Sequence, residues 1–182
     1  MIQKDITMKK CAGLLITILF LSISSRAQEN PSKWDGFRGI KWGTNIKDLN
    51  DPNMVLIEDA NEYKGYRRLN DKLNVGDANL KGIIYNFYKG RFFGFKIEAG
   101  DKDNFKLLKE AVFIYYGEGK PMAKSSNSWL WTPNLNNSRN VTMLLSYDEN
   151  KGITHWSMSY IPILNEIRDE KTKKAKETRK GY

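Results

Sequence analysis

Residues 80–98 read L-K-G-I-I-Y-N-F-Y-K-G-R-F-F-G-F-K-I-E, two aromatic and β-branched runs on either side of Lys89-Gly90. Such runs flanking a glycine turn spell a β-hairpin. A two-residue loop at Lys89-Gly90 places Phe93 and Phe95 on the face of Ile84, Asn86 and Tyr88, which scatters apolar groups over both faces. A three-residue loop with a bulge, Gly90 left-handed, aligns Ile83, Tyr85 and Phe87 with Phe93, Phe95 and Ile97. Asn86, Phe92 and Lys96 then face away. A slip of one residue exposes the whole core set, so the hydrophobic pattern favours the bulged register.

Downstream, residues 101–117 (D-K-D-N-F-K-L-L-K-E-A-V-F-I-Y-Y-G) carry Phe105, Leu108, Val112 and Tyr115 at helical spacing. Asp101 or Asp103 caps this helix and Gly117 ends it. Leu107, Ala111 and Ile114 widen its apolar side, which predicts a helix lying deep against a sheet. Residues 119–127 read as a loop. Strands are expected at 128–132, 140–147 and 153–160, with Val141, Met143, Leu145 and Tyr147 alternating inward, as do Trp156, Met158 and Tyr160. Upstream, Phe37 to Trp42 reads as a short extended piece. Thr44 caps a brief helix that turns Ile46 and Leu49 inward, and strands follow at 54–57 and 63–69. Strands, one long helix and strands again predict an α+β domain, with a mainly antiparallel sheet of about six to eight strands packed on one helix, plus a short N-terminal helix. No internal repeat is recognisable.

The chain has 182 residues, 40% hydrophobic and 28% charged, with a net charge of +9, one Cys and one His. These values exclude collagen-like, disulfide-scaffold and wholly disordered classes. Residues 1–27 read as a secretory signal: basic at Lys9-Lys10, apolar from Cys11 to Ile23, and small at Ser25 and Ala27 before a cut after Ala27. Met8 is an alternative start, since Asp5 suits a basic leader poorly. The apolar run is too short for a spanning helix, which needs about 20 residues. Cys11 stands at its start, whereas lipid attachment needs a Cys just after the run. Cleavage removes four basic residues and one acid, taking the charge from +9 to +6, and removes the lone Cys. The expected organisation is a spacer at 28–33, a single domain at 34–165 and a charged tail at 166–182, a frayed helix or disordered. The protein is expected outside the cytoplasm, periplasmic or extracellular, and not membrane-spanning once cleaved.

With no thiol and one imidazole, His155, few reaction classes remain. His155 lies beside Ser157 and Ser159 without a partner motif, and reads as an ordinary strand residue. Zinc, copper and haem sites lack ligands, so neither a metal nor a cofactor is expected. Asp101 to Asn104 lacks the glycine and glutamate of a calcium loop, and capping explains its acids. Gly117 to Pro121 fails the phosphate-loop spacing, with Ile114 where glycine is needed and Pro121 where serine or threonine is needed. Asn136 and Asn140 begin glycosylation-type triplets. Glu58, Asp59, Glu62, Glu98, Glu110 and Glu118 are available as paired carboxylates, and nothing in their spacing selects a pair.

The aromatic excess is the more suggestive feature. Trp129 and Trp131 share a strand face beside the Asn-rich loop T-P-N-L-N-N-S-R-N. Aromatic faces flanked by amides suit sugars or an extended peptide, although large side chains also fill the core of a staple-free domain. Trp129, Trp131 and Trp42 are the candidate ligand-binding residues, with Arg38 and Arg139 as anion contacts. The Lys-rich tail predicts weak attraction to anionic surfaces rather than nucleic acid, given export.

The start F-R-G-I-K-W-G-T (Phe37 to Thr44), the hairpin around Tyr88-Lys89-Gly90, and the helix ending Y-Y-G-E-G-K-P (Tyr115 to Pro121) before Trp131 resemble a loose set of uncharacterised exported bacterial proteins. In that set a W-G-T helix start precedes several strands and a helix ending Y-G-x-P, and here the ending has two extra residues before Pro121. The resemblance covers most of residues 37–160 and implies export and architecture, with no activity attached. The expected function is an exported, envelope-associated binding or accessory module for a glycan, peptide or partner protein, without catalysis. The enzyme alternative is a carboxylate-dependent polysaccharide hydrolase.

Overall fold

A computed structural model of the chain describes residues 32–123, 127–133 and 140–180. The expected signal segment, most of the spacer, Arg139 and most of the Asn-rich loop lie outside them. Among the described residues run strands β1 (Gly36–Phe37), β2 (Ile40–Lys41), β3 (Met54–Ala60), β4 (Tyr63–Arg68), β5 (Asn74–Val75), β6 (Ala78–Tyr88), β7 (Arg91–Ala99), β8 (Lys120–Pro121), β9 (Ser128–Trp131), β10 (Val141–Asp148) and β11 (Ile153–Tyr160). Helix α1 spans Lys102–Tyr116 and helix α2 spans Ile161–Lys180. The expected N-terminal helix is a single 3-10 turn, Ile46–Asp48, whose cap is Asn45 rather than Thr44: the Asn45 side chain accepts from the Lys47 amide.

The main sheet is antiparallel in every pairing and ordered β3-β4-β6-β7-β11-β10-β9-β8, with β5 beside β6. The fold is α+β. Two meanders meet at β7 and β11, and each is followed by a helix. The strands β5 and β8, two residues each, have no counterpart in the sequence pattern, since two residues carry no alternation.

Away from its turn the β6–β7 hairpin has the bulged register, with Ile83 opposite Ile97 and Tyr85 opposite Phe95, but the turn and the place of the bulge differ from those expected. Lys89 (φ +49°) and Gly90 (φ +76°) form a two-residue turn joining the pair Tyr88 and Arg91. The bulge lies one step further in, where Phe87 faces Phe92 and Asn86 faces Gly94. Phe92 therefore turns into the core with Tyr85, Phe87, Phe95 and Ile97, while Phe93 joins a separate cluster with Tyr88 and Ile163. Both faces at this end of the hairpin are covered, and the two aromatics divide between them.

Asp101 caps α1 by accepting from the Asp103 and Asn104 amides, and the buried face is Phe105, Leu108, Val112 and Tyr116. Tyr115 and Ile114 are exposed, because the helix winds the stripe onto Tyr116. Each fully buried apolar side chain of this kind contributes about 1.5–3 kcal/mol.

Helix α2 begins directly after β11, earlier than a tail at 166 allows. Its first half docks Ile163, Leu164 and Ile167 against Tyr88 and Phe93. Arg91 donates to both Glu166 oxygens (2.7 and 2.6 Å), and Glu170 accepts from the Tyr88 hydroxyl (2.7 Å) and from Lys89. Residues 171–179 are exposed. Arg91 holds the Glu166 carboxyl below its usual range, and Lys89 with Tyr88 does the same for Glu170. A depressed folded pKa contributes stability that is present above the ordinary value, ~4.3, and lost as pH falls through the folded one. Once corrected for its intrinsic pH dependence, amide exchange over residues 161–170 is therefore expected to be flat from neutral pH down to that value and to accelerate below it. In the Glu166→Gln/Glu170→Gln variant the extra acceleration is expected to vanish, with docking weaker at neutral pH.

Candidate ligand-binding site

The hairpin β1–β2 turns through Arg38 (φ +46°) and Gly39 (φ +84°). Left-handed backbone at both central residues is the turn that matches strand twist, and Arg38 adopts it without glycine's freedom. Its guanidinium compensates by donating to the carbonyls of Lys72 (2.7 Å) and Asn74 (3.1 Å), and lies 3.4 Å from Asp71. Phe37 stacks on Phe95 with centroids 3.7 Å apart, and Ile40 is buried. The hairpin is thereby pinned over the sheet at its tip and its base. Phe92 and Gly43 complete the hold, with the Gly43 amide donating to the Phe92 carbonyl at 2.8 Å.

Between this hairpin and the C-terminal half of α1 lies a cavity of about 370 Å³. Phe37, Ile40, Val75, Val112, Tyr116 and Trp156 give it an apolar interior, and Ala111 lies on its helical wall. Trp156 meets Phe95 edge to face at 5.1 Å. Its indole N–H is buried without a hydrogen-bond acceptor, and its ring packs on those of Phe37, Phe95 and Tyr116. Burial of Tyr116 pushes its phenol pKa up, so this hydroxyl stays neutral. Lys33, Asp35, Arg38 and Lys41 carry the charges of the lining. Lys33 donates to the Tyr115 carbonyl at 2.6 Å, the last turn of α1, where a cation is favoured.

Arg38 also borders a polar cleft of about 640 Å³ lined by Asp51, Arg68, Asn70, Asp71, Lys72 and Asn74. Asp71 accepts from the Tyr85 hydroxyl at 2.7 Å, and burial with that bond raises the Tyr85 pKa. Arg68 lies 2.8 Å from Asp51 and 4.0 Å from Asp71. The Asn53 amide, with Arg68, holds Asp51 below the usual carboxylate range.

On the opposite sheet face, Ser146, His155 and Glu98 form a row across β10, β11 and β7. His155 Nδ1 lies 3.8 Å from Glu98, beyond hydrogen-bond reach, and Lys96 pairs with Glu98 at 3.0 Å. These three strands are interior to the sheet.

The sequence-selected tryptophans lie apart from the cavity. Trp131 is fully buried and donates to the Gly117 carbonyl at 2.9 Å. Trp129 sits half-buried beside Phe105 and Phe113, with the Lys109 ammonium 3.9 Å above its ring. Trp42 donates to the Trp34 carbonyl at 2.7 Å and stacks on Phe92. Of the five candidates only Arg38 lines the cavity, and Arg139 lies outside the described residues. Sequence reasoning missed Lys33, Phe37, Lys41, Tyr116 and Trp156. The F-R-G-I start carried a usable signal, two apolar residues around a two-residue turn, whereas the packing of α1 opposite it carried none. Compared with known proteins, the chain matches no family model, and no curated protein or solved structure matches it significantly.

Proposed function

We propose that this chain is an exported, envelope-associated binding module, without catalysis, that takes an apolar, ring-bearing ligand in the cavity beneath the β1–β2 hairpin. The observation that carries the reading is the cavity itself, about 370 Å³ with an aromatic interior and its charges confined to a few residues. Concave, mostly apolar sites with a few polar groups are where small molecules bind. Rings favour a ring, through offset or edge-on contacts of about 0.5–1.5 kcal/mol each. The exposed basic end of α2 adds a salt-sensitive attraction to anionic surfaces.

The test is an equilibrium titration with a neutral bicyclic probe, 2-naphthamide. Saturable binding of one probe per chain is expected. Ala111→Trp, which fills the cavity from α1, is expected to weaken it at least tenfold while the far-ultraviolet circular dichroism stays that of the parent. No saturable binding, or equal binding by the variant, overturns the reading.

A further inference from the structure

We infer that the ligand of this cavity is an aromatic carboxylate, its ring held inside and its charge at the lysines. The inference rests on the cavity reading above and adds the sign and place of the ligand's charge. Three cations, Lys33, Arg38 and Lys41, line the cavity against one acid, Asp35. They are not equivalent. Arg38 spends its fork on two carbonyls and Asp71. Lys33 is fixed by the Tyr115 carbonyl, which uses one of its three donors and leaves the ammonium without an acidic partner among the described residues. Lys41 is exposed and makes no ion pair among the described residues.

Asp35 already accepts from the Ser32 amide at 3.1 Å. The unbalanced charge is therefore positive and resides on two ammonium groups. The interior offers an anion no counter-charge, so a carboxylate buried there would be desolvated without an ion pair, whereas one at the lysines keeps part of its hydration. A cationic ligand would meet the same two ammonium groups as repulsion. An aromatic body suits Phe37, Tyr116 and Trp156, as for the neutral probe.

The experiment compares 2-naphthoate with 2-naphthamide, nearly isosteric and differing in charge, on the full chain at low and high salt. The carboxylate is expected to bind about 3–10-fold more tightly at low salt, with the advantage shrinking at high salt, because exposed lysines are screened. Lys41→Ala and Lys33→Met are each expected to remove that advantage, so that the two probes bind the variants equally well. Equal affinity of the parent for the two probes, or an advantage that survives both variants, overturns the carboxylate inference while the cavity reading stands. Binding of neither probe overturns both.

Discussion

Trp131→Ala lowers the unfolding free energy by about 3–5 kcal/mol, the range for deleting a fully buried aromatic. The ring has no exposed surface, and its indole N–H holds the Gly117 carbonyl at the end of α1. Gly119 lies so close that a Cβ there would stand 2.7 Å from the ring, so the chain after α1 is moulded on this side chain. Alanine therefore leaves a cavity and frees a helix-terminal carbonyl together. Urea unfolding measures the loss, and probe affinity of the folded fraction is expected to stay at the parent value. A stable variant that fails to bind would instead give Trp131 the ligand-contacting part that its sequence neighbourhood suggests.

Gly36→Ala has the opposite signature. A methyl group at this position would stand 2.1 Å from the Ile40 carbonyl oxygen, a backbone atom that cannot swing aside. The pairs Gly36–Lys41 and Phe37–Ile40 must then separate. Phe37 loses its stack on Phe95, and the wall of the cavity opens. The expected cost is about 1–3 kcal/mol, the usual range for overpacking, with probe binding weakened more than tenfold. Denaturant midpoint and titration together check it. Unchanged affinity in this variant would show that the hairpin does not form the site.

The large elements were legible because their periods are long. Helix α1 repeats its apolar residues over fifteen positions, and β10 and β11 alternate over eight each. Local chemistry failed where two residues competed for one role. Phe92 and Phe93 are equally apolar, and only the bulge opposite Phe87 decides which enters the core. Tyr115 and Tyr116 compete likewise, and the turn of the helix selects Tyr116. Helix α2 was hidden because its apolar residues, Ile163, Leu164 and Ile167, occupy only its start, while its polar docking depends on the distant Tyr88, Lys89 and Arg91. The cavity was hidden for the same reason: Phe37, Val112 and Trp156 come from three remote segments.

The five tryptophan indole N–H groups give the most direct measurement of where a ligand sits, because Trp34, Trp42, Trp129, Trp131 and Trp156 report separately in a proton–nitrogen correlation spectrum. Titration with 2-naphthamide is expected to move the Trp156 signal, whose N–H has no hydrogen-bond acceptor to buffer it, and to leave Trp129 and Trp131 in place. Movement of Trp129 and Trp131 with Trp156 unchanged would contradict the account and put the ligand on β9.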